Sequence, residues 1–237
     1  MTPIADIRLR LLATVLLVIA LSQVGGLGMA VTGFGLAMLL ALIAGLDSKA
    51  WRRVLQVELF VVLLFLTLPF AISGTPLLAV GPLTASLEGL ARAALIACKV
   101  SAAVLVVAAL IGGVAPERIG AGLRALNVPE RLVRLLLLTV RYLSVIRSEA
   151  ARLHDAMRAR GFVPRSNRHT WRAYGYLIGM LLVRALERAQ RVEEAMRCRG
   201  FSGRFPHAAL PAPRFSDWAG FVALTGLAAA LLAGQFA

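Results

Sequence analysis

Two seven-residue stretches hold the most specific polar pattern in this chain. "AMRARGF" at Ala156 to Phe162 and "AMRCRGF" at Ala195 to Phe201 lie 39 residues apart and differ at one position. Each carries small-Arg-Gly before its final Phe, as Ala159-Arg160-Gly161 and as Cys198-Arg199-Gly200. A guanidinium carries five donors in a rigid fork and meets a carboxylate bidentately. The near-absence of side chain on either side lets such a tip enter a narrow groove. Removing one partner of a desolvated pair of this kind typically costs about 2–5 kcal/mol. The chemistry offered is therefore grip, and two tips call for two partners or for one partner with two equivalent sockets.

Catalytic chemistry finds little to work with. The cysteines Cys98 and Cys198 are isolated, and His154, His169 and His207 are scattered without metal-ligand spacing. Motifs of the types G-x-x-x-x-G-K-[ST], H-E-x-x-H and G-x-S-x-G are absent from the sequence, so no catalytic and no metal-binding residue is assigned. An intramembrane enzyme would need clustered polar residues within its spans, and Glu58 is the one embedded carboxylate. The expectation is a non-enzyme.

Helices must position the two tips. After Gly112-Gly113 a short helix over 117–126 ends at Asn127, and Pro129 is placed to begin the next one. From Glu130 to Arg160 no Gly or Pro interrupts the chain, which predicts roughly 45 Å of helix. Arg134, Arg141, Ser148 and Asp155 recur every seven residues along one polar stripe, with Leu132, Leu136, Leu143 and Ile146 off it. A second helix is predicted from Trp171 to Arg199, with favourable i,i+4 pairs at Glu187–Arg191 and Glu193–Arg197. "GFVPRSNRH" between them reads as a turn. Both heptads thus end a helix. Gly161 and Gly200 are expected at the left-handed C′ position, with Phe162 and Phe201 at C″. Met157 and Met196 belong to the same supporting helix ends. Capping accounts for the glycines separately, but not for agreement at six positions of seven.

The remainder of the chain is apolar. Hydrophobic residues make up 59% and charged residues 16% of 237, against about 45–50% and about 25% in soluble domains. Five spans are predicted: 11–24, 27–46, 54–73, 95–113 and 217–236, the fourth entered from an amphipathic stretch holding Glu88, Arg92 and Lys99. "SQVGG" after the first apolar run offers no small-x-small cleavage site, so that run is expected to be a retained helix and not a signal peptide. Basic residues mark Arg8, Arg10 and the 47–53 loop, whereas 22–26 and 74–86 carry no Lys or Arg. The positive-inside rule then places the N-terminus and the 114–215 block in the cytoplasm and the C-terminus outside.

That block holds 19 of the 26 Lys and Arg residues against 7 of the 12 Asp and Glu, so it carries most of the net charge of +14. Its basic residues follow helical periodicity beside leucines, without a nucleic-acid-binding signature, which argues against a nucleic-acid partner. The expected organisation is an all-α integral membrane protein of about five transmembrane helices: spans over 1–113, a cytoplasmic coupling domain over 114–215, and a final span over 216–237. A Pro-rich linker at 204–215 leads into that last span. A membrane anchor whose basic helices bind anionic lipid is the competing reading. Lipid attraction, however, needs charge and not an ordered, twice-repeated tip.

The paired tips, together with "VPERLVRLLLLTVRYLSVI" at Val128 to Ile146, the N-terminal spans and the last span, resemble the transmembrane T component of energy-coupling factor transporters, cobalt type. The resemblance implies a scaffold in a bacterial cell membrane joining a membrane-embedded substrate-binding subunit to two ATPase subunits. Arg160 and Arg199 would be the anchoring arginines, with Ala159, Gly161, Cys198 and Gly200 supplying close approach. ATP and magnesium would reside on the partner subunits, with no cofactor bound by this chain. Cys198 departs from the family's alanine but keeps the position small. Arg158 and Arg197 read as solvated surface residues. The resemblance favours cobalt as the substrate, with nickel or a vitamin such as biotin as alternatives.

Overall fold

The computed structural model describes residues 4–72, 75–80, 83–201 and 211–234. Its elements run α1 (Ile7–Gln23), α2 (Leu27–Ala44), α3 (Ser48–Ala71), β1 (Pro76–Val80), β2 (Leu83–Ser86), α4 (Leu87–Leu110), α5 (Pro116–Ala125), α6 (Glu130–Ala159), α7 (Arg168–Cys198) and α8 (Phe215–Ala233). The protein is an all-α integral membrane protein in framework, as its periodicity predicts. The chain divides into two compact units, 1–122 with 211–237, and 123–210.

Four helices of the first unit, at 27–44, 50–71, 87–110 and 215–233, are long and apolar enough to cross a bilayer. α1 corresponds to the remaining expected span. Its 17 residues make roughly 25 Å of helix, a little short of a hydrocarbon layer of roughly 30 Å. It packs against α4 and α8, while α2 and α3 also pack on α4. In lipid the apolar effect does not separate inside from outside, so close approach of small residues drives helix association. The packing follows that rule. Ala13, Ala37, Ala41, Ala93 and Ala102 are buried, while Leu55, Leu59, Phe60 and Leu66 face outward. Gly89 shows such an approach against backbone: a Cβ there would lie 2.8 Å from the Leu68 carbonyl oxygen and 2.8 Å from the Pro69 Cα.

The helix ends establish which termini share a side. The Ala5 amide donates to Asp217 Oδ1 at 2.6 Å, joining the start of α1 to the start of α8. The Arg214 amide donates to Asp217 Oδ2 at 3.0 Å. Lys99 Nζ, on α4, donates to the Ser22 carbonyl at the other end of α1 at 3.0 Å. A cation there suits the negative end of the helix dipole.

Several boundaries differ from the sequence-based expectation. α3 starts at Ser48, six residues before the expected span, and α4 starts at Leu87, so the stretch holding Glu88, Arg92 and Lys99 is part of one continuous helix. The basic 47–53 segment is thus mostly the first turns of α3. Residues read as an uncharged loop include an antiparallel hairpin pairing Val80 with Leu83 and Ala79 with Thr84. Strands this short leave no usable periodicity. The boundaries of the compact units fall at 122/123 and 210/211 where the sequence suggested 113/114 and 215/216. The cause is α5, whose Gly122 is so close to α1 that a Cβ would lie 2.9 Å from Leu11 and 3.0 Å from Ile7. The linker at 204–210 and the expected end of the last span at 235–236 lie outside the described residues.

Candidate functional site: two matched helix ends

α6 and α7 form an antiparallel pair. Phe162, just past α6, meets Tyr174 near the start of α7 edge-on, with ring centroids 5.7 Å apart. His154 stacks on the same Tyr174 at 6.2 Å. At mid-length Glu149 of α6 accepts from Arg184 Nη1 at 3.1 Å and from Arg188 Nη2 at 2.9 Å. Near the other end the Arg134 guanidinium lies over the Phe201 ring, 5.4 Å from its centroid. Partners ascend on one helix as they descend on the other. The two heptads are therefore at opposite ends of the hairpin, and the path along α6 from Arg134 to Arg160 is roughly 40 Å at 1.5 Å per residue.

The two ends are built alike. Gly161 has φ +83° and Gly200 has φ +76°, a region where a Cβ is penalised. The Phe162 amide donates to the Met157 carbonyl at 3.1 Å and the Gly161 amide to Arg158 at 2.9 Å. In the second copy Phe201 donates to Met196 at 3.0 Å and Gly200 to Arg197 at 3.0 Å. These are complete Schellman motifs, the 6→1 and 5→2 bonds both present. α5 ends the same way on Asn127, at φ 59°, so the cap alone is a general device. The agreement between the heptads extends to the cap arginines: Arg160 has φ −89° and ψ 13°, Arg199 φ −88° and ψ 14°.

Exposure divides both heptads in the same manner. Met157, Phe162, Met196 and Phe201 are half-buried, whereas Ala159, Arg160, Gly161, Cys198, Arg199 and Gly200 are exposed. The apolar members fold back on the hairpin, and the small-Arg-Gly triplets point away from it. Among the described residues neither Arg160 nor Arg199 forms an ion pair or a side-chain hydrogen bond. Arg197 is committed elsewhere, to Glu193 in the expected i,i+4 pair, as is Arg191 to Glu187. Arg158 is exposed.

The sequence left the Glu149 clamp unread. Glu149 is 8% exposed, and its carboxylate is held by two arginines one helical turn apart. The hydrogen bond from Arg184 holds the Glu149 carboxyl below the usual carboxylate range, against the opposing effect of burial, and Arg188 adds to it. A carboxylate among the leucines of α6 was the available signal, but its partners follow only from the pairing of two separate helices. Glu149, Arg184 and Arg188 fix the hairpin at mid-length, between the two tips.

Sequence comparison places this arrangement among known proteins. The chain matches the CbiQ family, described as cobalt transport protein, over residues 5–208. It is 39% identical over 83 residues to the cobalt transport protein CbiQ of Rhodobacter capsulatus, covering 35% of this chain and 33% of that one. It is 30% identical over 105 residues to the nickel permease LarQ of Lactiplantibacillus plantarum, covering 44% of this chain and 37% of the relative. The chain thus aligns with about a third of the length of each of these relatives. The match over residues 5–208 takes in α1 to α4 and both heptads, and the chain belongs to the CbiQ family of cobalt transport proteins.

Proposed function

We propose that this chain is the energy-coupling subunit of an importer, a non-catalytic scaffold in the cell membrane that passes the motion of two ATPase subunits to a membrane-embedded substrate-binding subunit. The single observation that carries the proposal is the pair of matched tips, each exposing one guanidinium on an identical cap at opposite ends of one hairpin. Two equal grips fit two equal sockets, one on each ATPase. Closure of the ATPase pair on ATP would then move the tips relative to each other, and the hairpin would carry that motion onward. ATP and magnesium belong to the partners in this scheme. The leucines at 132, 135 and 143 and the isoleucine at 146 are exposed along α6, which offers the substrate-binding subunit an apolar face. The N-terminus and the 114–215 segment are assigned to the cytoplasm and the C-terminus to the outside. The Ala5–Asp217 bond, which keeps the starts of α1 and α8 on one side, supports that assignment.

The deciding experiment is charge reversal at both tips, Arg160→Glu with Arg199→Glu, in the complete transporter. The expected result is loss of the ATPase subunits on co-purification and loss of uptake, with the chain still folded in the membrane. Intact association would overturn the proposal. Cobalt is the proposed substrate on the strength of the family description. Nickel is the second reading, because one relative is named a nickel permease. Uptake of labelled cobalt, nickel and biotin by the reconstituted complex separates these readings.

A further inference from the structure

Away from the heptads, the first unit contains a two-part cavity with one polar and one apolar compartment. The polar part, about 250 Å³, is lined by Arg10, Asp47 and Arg53 together with Gly45, Gly112 and Gly113. The apolar part, about 370 Å³, runs between α3 and α4 and is lined by Val54, Val57, Val104, Val107 and Ile111. Ala50, Arg53, Ala108 and Gly112 border both compartments, so the two adjoin. The polar part lies where the start of α1, the end of α2, the start of α3 and the end of α4 meet. That is the level at which spans leave the hydrocarbon layer.

Cations dominate this rim. Arg10 donates from Nη2 to the Ala109 carbonyl at 3.4 Å, which orients it along the cavity wall. Arg118 of α5 is close enough to repel it electrostatically. Arg53 stands at the junction of the compartments and, among the described residues, makes no ion pair. The one carboxylate lining the cavity, Asp47, is exposed. A cation-rich mouth above a groove lined by valines is complementary to a molecule with an anionic head and an apolar tail. Basic pockets between membrane helices bind anionic headgroups in this manner. A free inorganic anion would use the arginines and leave the groove without a function.

We infer that this cavity is a binding site for one anionic phospholipid, its phosphate between Arg10 and Arg53 and one acyl chain in the α3–α4 groove. The lipid would join the ends of α1, α3 and α4 at the membrane surface. The site does not depend on the proposed coupling role of the heptads.

The test is native mass spectrometry of the detergent-solubilised chain titrated with dioleoyl phosphatidylglycerol or dioleoyl phosphatidylcholine. Wild type is expected to retain the anionic phosphatidylglycerol preferentially. Arg53→Gln, at an exposed position that tolerates replacement, should lower that preference roughly fivefold, as should Arg10→Gln, on the basis of the usual worth of one basic residue at an anionic surface. Val104→Trp, which fills the groove and leaves both arginines, should abolish retention of phosphatidylglycerol. Arg92→Gln, outside the cavity, should change nothing. Equal retention of the two lipids, or an unchanged preference in Arg53→Gln, would overturn the site. Stabilisation by inorganic phosphate equal to that by the lipid, insensitive to Val104→Trp, would overturn the assignment to a lipid.

Discussion

The guanidinium of Arg134, in the second turn of α6, lies over the ring of Phe201, three residues past the end of α7. That contact seats the second heptad against the beginning of the helix whose far end carries the first. Each tip is therefore steadied by the other helix, Phe162 by Tyr174 and Phe201 by Arg134. Cation–π contacts at partly exposed positions contribute about 0.5–1 kcal/mol. Replacing Arg134→Ala should loosen the second tip and leave the first alone. A spin label on the native, exposed Cys198, with Cys98→Ala to remove the other thiol, should gain mobility in the variant. A label at Ala159→Cys should not. Equal loosening at both ends would show that the hairpin as a whole had been disturbed.

The two cap glycines make a second expectation. At φ +83° and +76°, a side chain with a Cβ costs about 1–2 kcal/mol. Asparagine tolerates this region better than branched residues, and Asn127 already occupies it at the end of α5. Gly161→Asn and Gly200→Asn should therefore keep ATPase association closer to wild type than Gly161→Val and Gly200→Val. Co-purification of the ATPase subunits gives the ranking. A flat ranking would mean that tip geometry does not matter to docking.

Much of this arrangement was legible in the chain because the decisive signals are local. A Gly-Phe after an amphipathic run specifies a Schellman end, and an uninterrupted stretch from Glu130 specifies a long helix; both are observed. The i,i+4 pairs at 187–191 and 193–197 are equally local and are present. What escaped the sequence depends on distant partners. Glu149 looked like one more polar residue until α7 brought Arg184 and Arg188 to it. α5 read as part of the basic block until its Gly122 met Ile7 and Leu11. The starts of α3 and α4 were placed too late because charged residues in a first turn depress hydropathy without ending the helix.

Packing of the spans depends on Gly89. Its Cα faces backbone atoms of α3, so an added methyl cannot be absorbed by a flexible side chain. Gly89→Ala should destabilise the protein by about 1–3 kcal/mol, the usual cost of overpacking. Gly28→Ala is the matched control, since nothing lies within 4 Å of the position where its Cβ would be. Thermal unfolding in detergent should lower the midpoint in the first variant only. Equal midpoints would place α3 and α4 further apart than the structure has them.

The Glu149 clamp predicts how the hairpin responds to acid. Its carboxyl is held below the ordinary range, first by the hydrogen bond from Arg184 and then by Arg188. For a depressed carboxylate, the stabilisation is present above the unfolded-state value, about 4.3 for Glu, and is lost as pH falls through the folded-state value. The distance between labels at Cys198 and Ala159→Cys, expected at roughly 40 Å from the length of helix separating the tips, should thus stay constant from neutral pH down to about pH 5. It should broaden only as pH falls through the lowered folded-state value, beneath the ordinary glutamate range, where the carboxylate takes up a proton and two arginines are left facing each other. Glu149→Gln removes the charge at every pH, so its distribution should be broad already at neutral pH and show no further acid transition. Glu149→Asp should restore a narrow distribution in part. A narrow, pH-independent distribution in Glu149→Gln would mean that the aromatic contacts at the two ends hold the tips apart without the clamp.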